Sequence, residues 1–219
     1  MTESDQAVRS IYDDVQTYNA SIGGRLGHAQ LGFEVLYGPP ISHPPIFFVG
    51  YQPGGGKTAC NGHDKRSLRD PPWPPKTEYG IQPPLYRLAE RLQVAFRPLF
   101  LSGCTGLNAI FWRSPRESVF RGSVDKELRT EIESFSMRCV WKIIRIINPQ
   151  MIVVLGNRAG EVFRRNSDHV ETVIAERPVS WSAKADGFCV HGMPHPSASL
   201  TNNRLQEIGQ YLLAELEES

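Results

Sequence analysis

The stretch that most constrains this chain is Ile46–Lys57, IFFVGYQPGGGK. Four apolar residues of strand type, Ile46 to Val49, run into Gly50 and then into a loop of Pro53 and three successive glycines. A strand apolar on both sides must be covered on both faces, which is the situation of a parallel sheet between helix layers. Such a sheet delivers its strand ends into loops that gather in one crevice, and glycines there let a ligand approach the main chain closely.

Gly56-Lys57-Thr58 invites a nucleotide-binding reading, which requires Gly, four residues, then Gly-Lys-Ser/Thr. Counting back from Gly56, the first glycine falls at position 51, which is Tyr51. The lysine should also open a helix whose free amides face the phosphates, yet Asn61-Gly62 signals a turn. A nucleotide-dependent enzyme built on Gly54–Thr58 is therefore the weakest of three readings.

The rest of the chain alternates helices with strands. An amphipathic helix over 2–20, capped near Ser4, carries Val8, Ile11, Val15 and Tyr18 on one side. A strand is expected at Gly32–Tyr37, then the central strand, then a Pro-rich loop from Tyr51 to Gly80. Pro84–Phe96 reads as a helix, and Phe100-Leu101 and Leu107–Trp112 as short strands. Arg113–Gly122 reads as a basic loop and Val124–Ile147 as a long helix. Met151–Leu155 is a second wholly apolar strand, turned by Gly156 into a helix over Arg158–Arg165. Val170–Ala175 and Phe188–His191 are later strands, and Leu205, Ile208, Leu212 and Leu216 mark a last helix. The expected fold is α/β: one three-layer α/β/α domain over 1–219 with a central, largely parallel four-stranded sheet.

Composition adds bounds. A net charge of +1 does not announce a nucleic-acid binder, although a local basic face would suffice. No apolar run approaches a membrane span, and MTESDQ has neither a basic nor an apolar leader region, so a cytoplasmic monomer is expected. Cys60, Cys104, Cys139 and Cys189 are scattered without a Cys-x-x-Cys pair, pointing to reduced thiols, with Cys139 in the core.

Four strand ends concentrate polar chemistry: Gly50–Gly54, Leu107–Ala109, Val154–Asn157 and Met193–Ser197. They propose a pocket holding Gln52, Asn108, His195 and Ser197, suited to reading a planar polar group and stabilising developing negative charge. In order and spacing these motifs resemble the uracil-DNA glycosylase superfamily: a strand ending in Gly-x-x-Pro-Gly, a strand bearing Asn, a Val-x-Leu-Gly turn, and His-Pro-Ser before the final helix.

That resemblance implies specific roles. Gln52 would position the attacking water, Asn108 would read the base edge, and His195 would stabilise the departing base anion. Tyr79 would stack on the base, with Trp73 a lesser candidate and Tyr51 also against it. Gly54, Ser197, Ser199 and Arg113 would meet DNA, Arg113 on a loop shared with Arg116 and Arg121. Leu200 would fill the gap left by a flipped nucleotide. The implied partner is DNA containing uracil or another damaged base, and no cofactor is implied. Two departures matter: Gln52 stands where members carry Asp or Asn, and Tyr51 stands where iron–sulfur members carry Glu, without their upstream cysteine pair. The alternative on the same fold is a binding module for damaged or abasic DNA, catalytically weak because Gln52 cannot act as a base. Gly156-Asn157 is read as a structural turn.

Overall fold

The structure is a computed structural model that describes residues 2–26, 32–54, 70–167, 171–173 and 178–218. Its elements run α1 (Glu3–Ile22), β1 (Ile46–Gly50), α2 (Arg87–Ala95), α3 (Pro98–Leu101), β2 (Thr105–Asn108), α4 (Glu117–Ser123) and α5 (Lys126–Ile147). Then follow β3 (Met151–Leu155), α6 (Asn157–Arg165), β4 (Glu171–Val173), β5 (Trp181–Ala185), β6 (Phe188–Met193) and α7 (Asn202–Glu218). Among the described residues, no helix is long and apolar enough to cross a membrane.

The sheet order is β2-β1-β3-β6-β5-β4. The first four strands are mutually parallel, as expected, and β5 and β4 extend the sheet antiparallel. Alternation along the strands explains the three layers. Phe47, Val49, Ile152 and Val154 pack with Val8, Val15, Leu128, Ile144 and Val162 of α1, α5 and α6. Ile46, Phe48, Met151 and Val153 pack with Leu92, Leu101, Leu205 and Ile208 of α2, α3 and α7. The side chains of β1 and β3 therefore enter one or the other core in turn, and each fully buried aliphatic or aromatic contributes roughly 1.5–3 kcal/mol.

Helix ends obey local rules. Thr2, not Ser4, caps α1 through a reciprocal box with Asp5. Asp125 caps α5 by accepting from the Leu128 amide at 2.7 Å, and Asn148 ends it in the left-handed region at φ 51°.

Several expected elements differ. Gly32–Tyr37 makes only isolated bridges, Phe33 to Trp112 and Leu36 to Leu107, so it edges the sheet without joining it as a strand. Phe100-Leu101 closes the short helix α3, favoured by Pro98 at its first turn. The Asn108 strand is Thr105–Asn108, shorter than Leu107–Trp112 and shifted upstream. The expected loop over Arg113–Gly122 contains α4. The helix expected from Pro84 starts at Arg87, because Tyr86 is still extended. β5 went unassigned in the sequence although Asp186-Gly187 signals it: both residues have positive φ, 52° and 85°, forming the tight turn of a two-residue hairpin. Lys57-Thr58 and the rest of the stretch 55–69 lie outside the described residues.

Candidate active site

β1 leads through α2 and α3 to β2 on one side, and the chain then crosses to β3 on the other. Connections diverging from a central strand open a crevice at its carboxyl end. A cavity of about 940 Å³ lies there, lined by Gly50, Asn108, Leu155 and His195 from the ends of all four parallel strands. Gln52, Tyr51 and Gly54 from the first loop share its wall.

Asn108 is 5% exposed and fixed from two sides. Its Nδ2 donates to the Tyr37 hydroxyl at 2.7 Å. Its Oδ1 lies over the Gly50 main chain so closely that a Cβ on Gly50 would sit 2.2 Å from it. Paired register places Gly50 beside Asn108 and makes this approach possible. The carboxamide is thus presented at the cavity with little freedom to rotate.

Gln52 donates from Nε2 to the Trp112 carbonyl at 3.0 Å. A carbonyl can only accept, so the amide nitrogen must face it, and Oε1 is left as the acceptor of this side chain. Such an oxygen can orient a water but cannot hold its proton.

His195 follows β6 by two residues. Its Nδ1 accepts from the Ser197 amide at 3.2 Å, which requires the neutral ring to carry its proton on Nε2. The residue is exposed toward the cavity, and desolvation by the flanking protein lowers its pKa below the ordinary 6.5, in keeping with a neutral imidazole. Gly156, at φ +90°, brings its main chain against this residue: an added Cβ would lie 3.0 Å from the His195 Cβ. Gly156 therefore seats His195 as well as turning the chain, a contribution beyond the structural turn expected.

Tyr51 is half-buried with the Arg158 guanidinium 5.6 Å from its ring centroid, and burial raises its pKa. Tyr79 corrects the sequence expectation. It is 1% exposed, packs edge-on against Phe48 and is absent from the cavity wall. Tyr37 and Tyr86 join Tyr51 as the aromatic rings of the wall, with Tyr79 beside Tyr37 at 5.9 Å. Trp73 is likewise buried, against Tyr12. Arg113 also departs from its expected place on an outward loop. It reaches the cavity wall but is 6% exposed, and its Nε and Nη2 both donate to the Gly54 carbonyl at 3.2 and 3.0 Å. A buried guanidinium needs acceptors, and the Gly54 carbonyl supplies one, tying Arg113 to the start of the loop after β1.

Ser197, Ser199 and Leu200 follow His195 in the chain and do not line the cavity. Leu200 is half-buried against the core between α2 and α7. The apolar side chain projecting at the cavity is Leu85, 56% exposed. Exposed Arg87 and Arg116 also line the cavity, and Arg158 joins them while pairing with Glu161 at 2.7 Å. The sequence reading missed Tyr37, Leu85, Tyr86, Arg87 and Arg158. Pro83-Pro84 ahead of an apolar, aromatic and basic triplet was the available signal.

The crevice at the carboxyl ends of the parallel sheet thus brings together a fixed carboxamide and an imidazole with its proton on Nε2, a set with room and polarity for a planar polar ring. The family model described as "Uracil DNA glycosylase superfamily" matches residues 37–214, and the chain belongs to that superfamily. Membership carries a DNA glycosylase-like function and a DNA substrate. No curated protein matches the chain.

Proposed function

We propose that the protein hydrolyses the N-glycosidic bond of uracil, or of a related deaminated base, in DNA, and that it does so as a monomer after extruding the nucleotide from the helix. The observation that supports this most is the His195 tautomer: with Nδ1 occupied by the Ser197 amide, Nε2–H is the ring's donor.

Breaking the bond leaves positive charge on the sugar and negative charge on the base. A neutral Nε2–H aimed at the base oxygen stabilises that anion, and a single preorganised donor of this kind contributes about 2.7–4 kcal/mol. Asn108 complements the base edge, with Oδ1 accepting from a ring N–H and the second Nδ2 hydrogen donating to a ring carbonyl. Tyr37 and Tyr86 flank the ring. Gln52 orients water through Oε1 toward the cationic sugar carbon, and the water proton leaves to solvent.

At the rim, exposed Arg87 and Arg116 contact phosphates, a sequence-independent interaction. Leu85 takes the wedge role expected of Leu200, because it projects beside the cavity while Leu200 packs into the core.

The test is incubation with single- and double-stranded oligonucleotides carrying one uracil, hypoxanthine or xanthine, followed by alkali to reveal abasic sites. Cleavage at one of these bases that is abolished in Asn108→Ala supports the reading. Absence of cleavage at all three, with retained affinity for abasic DNA, contradicts it and favours a binding module, the outcome that Gln52's lack of basicity suggests.

A further inference from the structure

The segment behind His195 has few main-chain restraints of its own: Ala198 donates to the His195 carbonyl at 2.8 Å and Leu200 to the Ala198 carbonyl at 2.7 Å. It is gripped from outside by one side chain, Arg91 of α2. The Arg91 Nε donates to the Pro196 carbonyl at 3.3 Å and Nη1 to the Asn202 Oδ1 at 2.6 Å. Nη2 donates to the Leu200 carbonyl. Three donors of one rigid, planar fork thus reach acceptors that span the connection from just after His195 to the first residue of α7.

The same helix faces the cavity at its other end, since Tyr86, Arg87 and Leu88 line the wall. Gln93, two residues beyond Arg91, donates to the Tyr79 and Ile81 carbonyls at 2.8 and 2.9 Å, fixing the approach to Leu85. α2 is therefore tied to both the rim and the histidine loop.

We propose that Arg91 is a positioning residue for His195: by holding Pro196, Leu200 and Asn202 it keeps the Ser197 amide on Nδ1 and so keeps Nε2–H directed into the cavity. This rests on the glycosylase reading for its kinetic consequence, but its structural content is independent of it. Arg91 is a different device from a phosphate-contacting cation, because its donors are turned to the protein's own carbonyls. It also differs from a brace that only glues α7 to α2, because two of its three acceptors, the Pro196 and Leu200 carbonyls, lie in the loop that sets one ring nitrogen.

The experiment compares wild type, Arg91→Ala and Arg91→Lys, with Arg204→Ala as a control for loosening α7. Arg204 holds the Pro178 carbonyl at 2.8 Å and Glu207 at 2.9 Å, away from His195. Single-turnover excision and DNA affinity are measured with a uracil oligonucleotide, and the ring nitrogens of His195 are followed by ¹⁵N NMR without DNA. Arg91→Ala should lower the excision rate about 10²-fold, the scale of a 1 Å misplacement, while affinity changes by less than about threefold. The Nδ1 signal should lose its acceptor character. Arg91→Lys should recover part of both, and Arg204→Ala should change neither.

A wild-type rate in Arg91→Ala, a loss confined to affinity, or an unchanged Nδ1 signal would each overturn the proposal. If Arg91→Ala does not fold, the Arg91→Lys comparison decides it. If the wild-type protein excises nothing, the glycosylase reading fails, and the NMR comparison alone still decides the role of Arg91.

Discussion

Gly50→Ala isolates the arrangement of the Asn108 amide. The added methyl would lie 2.2 Å from the Asn108 Oδ1, about 1 Å inside ordinary contact. Neighbouring backbone is poorly placed to yield, because the Gly50 carbonyl accepts from the Ala109 amide at 2.8 Å and the paired strand β3 lies on the other side. The carboxamide must swing instead, giving up its bond to the Tyr37 hydroxyl. That bond contributes about 1 kcal/mol, and a 1 Å displacement of a positioning group costs about 10²-fold in rate, or about 2.7 kcal/mol of transition-state stabilisation. Single-turnover excision by Gly50→Ala should fall by that factor while the fold persists by circular dichroism. In an Asn108→Gly background the methyl meets no side chain, so the same substitution should have little further effect. Additive losses in that double-mutant cycle would refute the steric account.

Other outcomes follow from the same geometry. Burial holds the pKa of His191 below 6.5, with Glu215 partly opposing it, and desolvation lowers that of His195, a residue open to the cavity. The neutral forms are therefore favoured in the fold, and this stability is fully present above pH 6.5. It is lost as pH falls from 6.5 through the folded-state values, because the unfolded chain takes up protons first. The urea midpoint should drop between pH 7.5 and 5.5, less so in His191→Gln, which removes the buried ring; a midpoint that rises on acidification would contradict it. Leu85→Ala should slow excision from duplex by about tenfold and leave single strands nearly unaffected, since only duplex extrusion leaves a gap to fill; equal losses on both substrates would remove Leu85 from that role. Gly156→Ala combines a φ of +90° with a 3.0 Å contact to the His195 Cβ, so it should reduce both activity and melting temperature; a wild-type profile would show that His195 is seated by other contacts.

The sheet core was readable because burial on both faces forces an unbroken apolar run, as in Ile46–Val49 and Met151–Leu155. Asn108 and His195 were readable for a related reason: polar residues at the ends of such strands have few places to go other than the crevice. The surroundings were harder. Tyr79 sits among prolines and a glycine and looks exposed in sequence, whereas its ring fills space beside Phe48, close to Gly106. Tyr37 precedes Gly38-Pro39-Pro40 and reads as a strand end, and only the fold brings its hydroxyl to Asn108. Arg113 looks like surface charge in a basic loop, but the Gly54 carbonyl that it satisfies is 59 residues away in the chain. The three acceptors of Arg91 lie 105 to 111 residues distant, beyond any local pattern.

On the proposed reading, a neutral His195 donor drives departure of uracil from DNA. The most direct measurement is the single-turnover rate of uracil release from a single-stranded oligonucleotide by the wild-type protein and by His195→Ala, at pH 7.5. The wild type should release uracil and the variant should be slower by about 10²–10³-fold, with DNA affinity preserved. Equal rates in the two proteins, or no release by either, would contradict it.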